Sequence, residues 1–449
     1  MSWRLDITAL TRGFASGEVT PSATAAACLD RIEALDPTLN AFSARADDVC
    51  EAARAATDRW RQGAPIGPLD GVPVIVKDNL VSRGLPAAWG NAELARRVAP
   101  SDERPVAALR RAGALILGKG NTPEFAVEGY TDNVTFGPTR NPFDPRLTPG
   151  GSSGGVVAAV AAGLATFGIG TDGGGSIRRP AGYTGLYGLK PGIGHVPRGG
   201  GLPQVLLDFE TVGPITRSLD DLRLVDAVLS GRVHAASTPA ACRILAVETM
   251  PDAPCDPAIR EAFHATADVL RRAGHEVSFA GLPHDLGPMN AGWSWIGEIG
   301  LAHLMASDPA VAAAAAPKYR EMAARGAGAT GADLYAILER VFALREAARD
   351  LWGFDAVLMP TSAAHPWPAT ESHPAEIDGI AVGPRGHAVY TGWVNAAGLP
   401  AIAFPADVGA GLPIGMQLVG RPNSEAWLID LAAPCATPFR WPPVALSTT

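Results

Sequence analysis

The sequence predicts one α/β domain, a large mixed sheet with helices on both faces and its functional loops at one sheet edge. Three observations carry this. Short β-branched runs alternate with apolar-periodic stretches, the texture of strands threaded through helices. Hydrophobic residues make up 47% of the 449 positions and charged residues 18%, enough for a large buried core and too apolar for disorder. The 51 glycines and 39 prolines are scattered without a repeat, which implies many tight turns within a single unit spanning 1–449.

Residues 1–62 read as N-terminal helices. Asp6 or Thr8 can cap a short first one, and Thr20-Pro21-Ser22 opens a longer one from Ala23 to Leu35 that stops at Asp36-Pro37. Ser43 to Arg61 reads as an alanine-rich helix. Residues 63–230 hold the part expected to carry the chemistry. Val72-Pro73-Val74-Ile75-Val76 reads as a buried strand that delivers Lys77 at its C-terminal end. Ser101 to Ala112, Gly113, then Ala114 to Gly118 reads as helix, turn and strand, the alternation of a mostly parallel region. A glycine–serine turn at Gly150–Gly155 leads into the small-residue helix Val156 to Ala162. Phe167 to Gly170 reads as a strand end, and Thr171 to Ser176 is a second glycine-rich turn. Further strands are expected at Cys242–Val247, Asp355–Met359 and Ala401–Phe404, and a helical cover over the sheet at 285–350, with Trp293 and Trp295 as packing residues.

Composition excludes several functions. A net charge of −8 with no Lys/Arg block argues against nucleic acid or anionic membrane as partner. The longest apolar run, Val156 to Gly170, is 15 residues with glycines, too short to span a bilayer. The N-terminus lacks the apolar stretch of a signal peptide. Five cysteines (Cys28, Cys50, Cys242, Cys255, Cys435) show no C-x-x-C pair, so small buried thiols are expected, not disulfides or a zinc site. These features point to a cytoplasmic protein with no cofactor and no metal; a homodimer is compatible with them.

Two glycine turns match general motifs. Gly150-Gly151-Ser152-Ser153-Gly154 fits G-x-S-x-G, the elbow of an α/β-hydrolase with Ser152 as nucleophile, but no histidine downstream, His365 included, has a supporting motif. Gly168 to Gly173 fits G-x-G-x-x-G, but Pro180 and Gly182 interrupt the helix a dinucleotide fold needs, and Lys190 stands where an acid is required.

A third reading takes all three places together. Val76-Lys77-Asp78-Asn79, the serine turn, and Gly173-Gly174-Gly175-Ser176-Ile177-Arg178 with Pro180-Ala181 resemble the amidase signature family. Lys77 precedes Ser152 by 75 residues and Ser152 precedes Ser176 by 24, which fits that family. Gly67-Pro68-Leu69-Asp70-Gly71-Val72-Pro73, Gly188-Leu189-Lys190-Pro191, Val212-Gly213-Pro214, Asn395 and Gly415-Met416-Gln417 extend the likeness over nearly the whole chain. The resemblance implies Lys77 as base, Ser152 as relay with a cis peptide bond before it, and Ser176 as the nucleophile that is acylated. It implies an oxyanion hole from the amides of Gly173, Gly174, Gly175 and Ser176, and substrate contacts from Gly150, Gly151 and Arg179.

The chemistry explains the set. A serine hydroxyl needs a base within reach; a lysine ordinarily titrates near 10.4, and burial favours its neutral form. Plainer roles stand beside these. Ser152 and Ser153 can cap the following helix. Asp172 and Arg178 fit either an acid and an anion clamp or a buried pair bracing the loop. In some similar relatives, an arginine placed as Arg179 is holds a substrate carboxylate. Departures from the family pattern, Gly173 where threonine is common and Thr122-Pro123 for an Asn-Met pair, weaken the match to the subunit that amidates misacylated tRNA, which remains the alternative. The apolar stretch Leu202 to Phe209 favours a neutral apolar or aryl substrate among small amides, carbamates and esters.

Overall fold

Thirteen strands form among the residues that the computed structural model describes, 1–406, 409 and 411–446. They are β1 (Phe42–Arg45), β2 (Pro73–Lys77), β3 (Leu115–Gly120), β4 (Phe167–Asp172), β5 (Tyr187–Lys190), β6 (Thr211–Thr216) and β7 (Arg243–Ala246). Then come β8 (Glu276–Phe279), β9 (Ala356–Pro360), β10 (Glu376–Ile377), β11 (Ile380–Ala381), β12 (Ala401–Pro405) and β13 (Gly415–Gly420). Eleven make one sheet in the order β1-β3-β2-β4-β6-β5-β12-β13-β9-β7-β8, while β10 and β11 pair with each other. Parallel pairing is confined to β3-β2-β4 and β9-β7-β8; antiparallel strands join the two halves. The sheet is therefore mixed, as expected.

Alternation along β2 shows how helices cover both faces. Ile75 packs with Ile32 and Leu35 of the helix Pro21–Leu39 and with Val156 and Val160 of the helix Gly154–Ala161. Val74 and Val76 face the other way, against Leu10, Leu109 and Val225 of the helices Ile7–Ser16, Arg104–Arg111 and Leu219–Ser230. Lys77, two positions past Ile75, shares the face of Gly154–Ala161. Gly168 of β4 lets that helix approach: a Cβ there would lie 2.3 Å from Val156 Cγ1.

Several local expectations shift. Asp6 does cap Ile7–Ser16, accepting from the Ala9 amide. The second helix runs through Asp36-Pro37 to Leu39, because a proline in the last turn forfeits one hydrogen bond and Asp36 Oδ1 caps the exit at Ala41 N, 2.7 Å away. Residues Ser43–Arg45 are edge strand, not helix, and the next helix begins at Val49. Residues 285–350 fold mainly as the helices Gly287–Ser307, Pro309–Ala314, Pro317–Ala327 and Gly331–Ala347. Trp293 packs on Phe209 with ring centroids 5.0 Å apart, whereas Trp295 is exposed. The five cysteines are unpaired; Cys50, on the helix Val49–Arg61, is exposed, contrary to expectation, while the other four are buried. Among the described residues no helix is long and apolar enough to cross a membrane, and no three or more His, Cys, Asp or Glu side chains group to hold a metal ion.

Outside the glycine turns, His195 is buried between two carboxylates. Its Nε2 lies 3.0 Å from Asp226 Oδ1, and its Nδ1 lies 3.3 Å from Glu425 Oε1, an ionic contact without hydrogen-bond alignment. Burial alone would lower the imidazole pKa, but Asp226 and Glu425 outweigh it and raise it. A raised folded pKa contributes stability that is complete below the ordinary histidine value and is lost as pH rises through the folded value. Thermal unfolding should accordingly show a loss of Tm over that window in the wild type. His195→Gln should flatten it, and an unchanged slope would remove the histidine from the account.

Candidate active site

Lys77 ends β2, and the loop Gly173–Ser176 leaves the C-terminal end of β4, its parallel neighbour. Parallel pairing brings both to the same end of the sheet, so the site lies at the carboxyl ends of interior strands, not at a lateral sheet edge. The serine turn enters from below: Ser152 and Ser153 lead directly into the helix Gly154–Ala161, which packs on the face Lys77 shares. A Cβ on Gly170 would sit 2.7 Å from Ser153 Oγ, so glycine there lets β4 and the turn touch.

Lys77 is fully buried, and its Nζ donates to Ser152 Oγ at 2.7 Å, Thr171 Oγ1 at 2.7 Å and the Thr171 carbonyl at 3.2 Å. Burial lowers its pKa to about 7; Glu210 and Asp172 oppose that shift and Arg198 adds to it. The base expected from sequence is thus within reach of Ser152 and largely free of its proton just above neutrality. The Gly151–Ser152 peptide bond is cis. Ser176 is 7% exposed, and its carbonyl accepts from the Ser153 amide at 3.2 Å. Ser153 does not cap the helix with its side chain; its hydroxyl donates to the Thr171 carbonyl.

Asp172 and Arg178 form a buried pair bracing the glycine loop. Burial alone would raise the Asp172 pKa, but Arg178, Lys190 and Asn395 hold its carboxyl well below the usual range. It accepts from the amides of Gly175, Ile177 and Arg178 and from Arg178 Nε and Nη2. Arg178 also donates to Gln417 Oε1, the Thr391 carbonyl and Asn395 Oδ1. One expectation changes here: the Gly175 amide is taken by Asp172 Oδ1 at 2.6 Å. The amides of Gly173, Gly174 and Ser176 donate to no acceptor among the described residues. The Gly174 carbonyl is tied back by Arg179 Nη1 and Thr391 Oγ1, which fixes the loop while these three N–H groups stay unengaged.

Gly150 and Gly151 have packing reasons to be glycine. A Cβ on Gly150, at φ +83, would meet the Tyr183 ring, and one on Gly151 would lie 2.2 Å from the Tyr130 carbonyl oxygen. Arg179 is buried; its Nη1 reaches Gly174 O and Thr391 Oγ1, and its Nε has no partner. Burial lowers its pKa to about 10, still charged at neutral pH. On the other side, Leu206 packs on the loop, 2.4 Å from where a Cβ of Gly173 would lie, and 3.5 Å from that of Gly297 on the helix Gly287–Ser307. A groove of about 390 Å³ runs along the same stretch, lined by Gln204, Leu207, Phe209, Leu338, Phe342 and Arg345 among others; none of its lining residues belongs to the glycine turns.

Glu210, Arg198 and Thr391 did not stand out in the sequence; they reach the site from other segments, and no spacing announces them. Thr171 opens the second glycine turn, but nothing in the sequence marked it as a partner of Lys77.

The family described as Amidase matches residues 23–429. The chain belongs to the amidase signature family. Among relatives in that family, it is 34% identical to a glutamyl-tRNA(Gln) amidotransferase subunit of Moorella thermoacetica, covering 92% of each chain. It is 31% identical to indoleacetamide hydrolase of Bradyrhizobium diazoefficiens, over 96% of this chain and 86% of that one. The solved structure of a bacterial aryl acylamidase of the amidase signature family superposes with a TM-score of 0.87 at 26% identity, covering 98% of each chain. The amidase signature fold replaces the α/β-hydrolase reading of Ser152: the partner of its hydroxyl is Lys77, not a histidine.

Proposed function

We propose that this amidase-family hydrolase cleaves a C–N acyl bond through an acyl-enzyme on Ser176, without a cofactor. The observation that carries the reading is a buried lysine, with its pKa lowered to about 7, 2.7 Å from Ser152 Oγ. Lys77 takes a proton from Ser152 as Ser152 takes one from Ser176. The Ser176 oxygen bonds to the carbonyl carbon, and the oxyanion is met by the amides of Gly173, Gly174 and Ser176. The C–N bond then breaks, with the proton returning from Lys77 through Ser152 to the leaving nitrogen. Water hydrolyses the acyl-enzyme by the same route.

For the substrate, the favoured class is a neutral apolar or aryl amide or carbamate, with esters sharing the chemistry. Leu206 and Val127, which approach Gly297 from one side of the loop, support it, as do the names of the indoleacetamide hydrolase and aryl acylamidase relatives. Two observations favour other readings. Arg179 makes no carboxylate pair among the described residues and keeps Nε unpartnered, which suits a substrate carboxylate, with Gly150 and Gly151 of the serine turn proposed as further substrate contacts. The 34% likeness to an amidotransferase component suits a tRNA-linked role. A panel of p-nitroanilides, an arylacetamide, aryl carbamates, a dicarboxylate half-amide and glutamine, assayed with the purified chain alone, separates them. Turnover of aryl amides or carbamates is expected. Preference for the half-amide, lost in Arg179→Ala, would overturn the apolar substrate; turnover of glutamine only with added partner subunits would overturn the stand-alone hydrolase.

A further inference from the structure

A neutral lysine amine carries two hydrogens and one lone pair, and only the lone pair can take a proton from Ser152. Thr171 offers two acceptors to Lys77 Nζ, its Oγ1 at 2.7 Å and its carbonyl at 3.2 Å. With both amine hydrogens spent there, the lone pair faces Ser152 Oγ, 2.7 Å away. This works only while the Thr171 hydroxyl accepts from Lys77. Were its own hydrogen turned toward the amine, it would occupy the lone pair and disable the base. Asn79 Nδ2 donates to Thr171 Oγ1 at 3.1 Å and fills its second acceptor position. The hydroxyl hydrogen is therefore directed at Glu210 Oε2, 3.1 Å away. The other Glu210 oxygen is held by Arg198 Nη1 at 2.7 Å, and Arg198 Nε is anchored on Glu103 at 2.9 Å.

We propose that Glu210 is a positioning residue that, by taking the Thr171 hydroxyl hydrogen, keeps Thr171 an acceptor and aims the Lys77 lone pair at Ser152. The assignment rests on Lys77 being the base. Glu210 touches neither Lys77 nor the serines, and it belongs to neither glycine turn, so no motif marks it. Its charge acts separately from its position. It favours the protonated lysine, as does Asp172 (itself clasped by Arg178), while Arg198 disfavours it. Asp78 and Lys119, on the flanking residues of β2 and β3, offset each other.

Glu210→Gln keeps an acceptor for Thr171 and removes the charge; Glu210→Leu removes both; Thr171→Val removes the hydroxyl while keeping its shape. On an amide that the wild type turns over, Glu210→Leu should lower the plateau kcat by on the order of 10- to 100-fold with KM little changed. Glu210→Gln should keep the plateau within a few-fold and move the acid limb of kcat/KM to lower pH, by on the order of half a unit. Thr171→Val should reproduce the plateau loss, which keeps the test decisive if Glu210→Leu fails to fold. A wild-type plateau in Thr171→Val or in folded Glu210→Leu would overturn the assignment, as would a loss in Glu210→Gln as deep as in Thr171→Val. Lys77→Ala is run beside them: if it retains turnover, the base reading fails; if it is inactive while the Glu210 and Thr171 variants behave as wild type, only the positioning role does.

Discussion

Ser176→Ala is expected to reduce turnover to background, a loss on the order of 10⁵-fold or more, as when a serine hydrolase loses its nucleophile. The fold should be untouched. The Ser176 hydroxyl donates to nothing and accepts from nothing among the described residues, so its removal costs no internal contact. Its backbone carbonyl, which holds the Ser153 amide, is retained. Intact-mass measurement with a fluorophosphonate or sulfonyl fluoride gives a second readout: one adduct on the wild type and none on the variant. An unchanged Tm with activity gone is the expected pair of results. Full activity in Ser176→Ala would return the nucleophile to Ser152.

Lys77→Ala is expected to cost on the order of 10²–10⁴-fold, the range a positioned general base contributes. The wild-type pH profile carries the sharper test. A lysine whose pKa is lowered to about 7 by burial is the active base above that pH and is protonated below it. The logarithm of kcat/KM should fall with unit slope as pH drops below about 7 and level off above it. Lys77→Ala should lose that limb along with the rate. A limb near the ordinary lysine value would mean that the buried amine keeps its proton at neutral pH and that burial does not prepare it as the base.

The strands that carry the chemistry were legible for physical reasons. Val74, Ile75 and Val76 form a buried run that the sheet needs on both faces, and the two glycine turns stand where backbone must approach backbone. β6 was not legible as a strand: Thr211-Val212-Gly213-Pro214-Ile215-Thr216 carries a glycine and a proline in an interior strand. The glycine is there because a Cβ would lie 1.9 Å from the Leu189 carbonyl oxygen, a contact that exists only once β5 is in place. β1 reads as helix in the sequence because Ala44 and Ala46 continue an alanine-rich stretch, and only pairing with β3 decides otherwise. In the site, Lys77, Ser152 and Ser176 were legible because the turns around them have few alternative uses. Glu210 and Arg198 were not, nor was the role of Thr171 within its named turn, because these come from hydrogen bonds that close across separate segments. The expected donor Gly175 is spent on Asp172, since a carboxylate buried beneath a loop of bare amides draws the nearest one.

The Arg178 anchor has a consequence for how the protein is made. Its partners Asn395 and Gln417 lie 217 and 239 residues further along the chain. On a ribosome, the glycine loop is synthesised long before the segments that brace it, and contacts of such separation form late. Until those segments emerge, the loop has Asp172 and Arg178 from within its own stretch but not Asn395 and Gln417, which hold Arg178 from the far side. The brace around the loop is therefore completed only by the last strand of the sheet, β13, which carries Gln417.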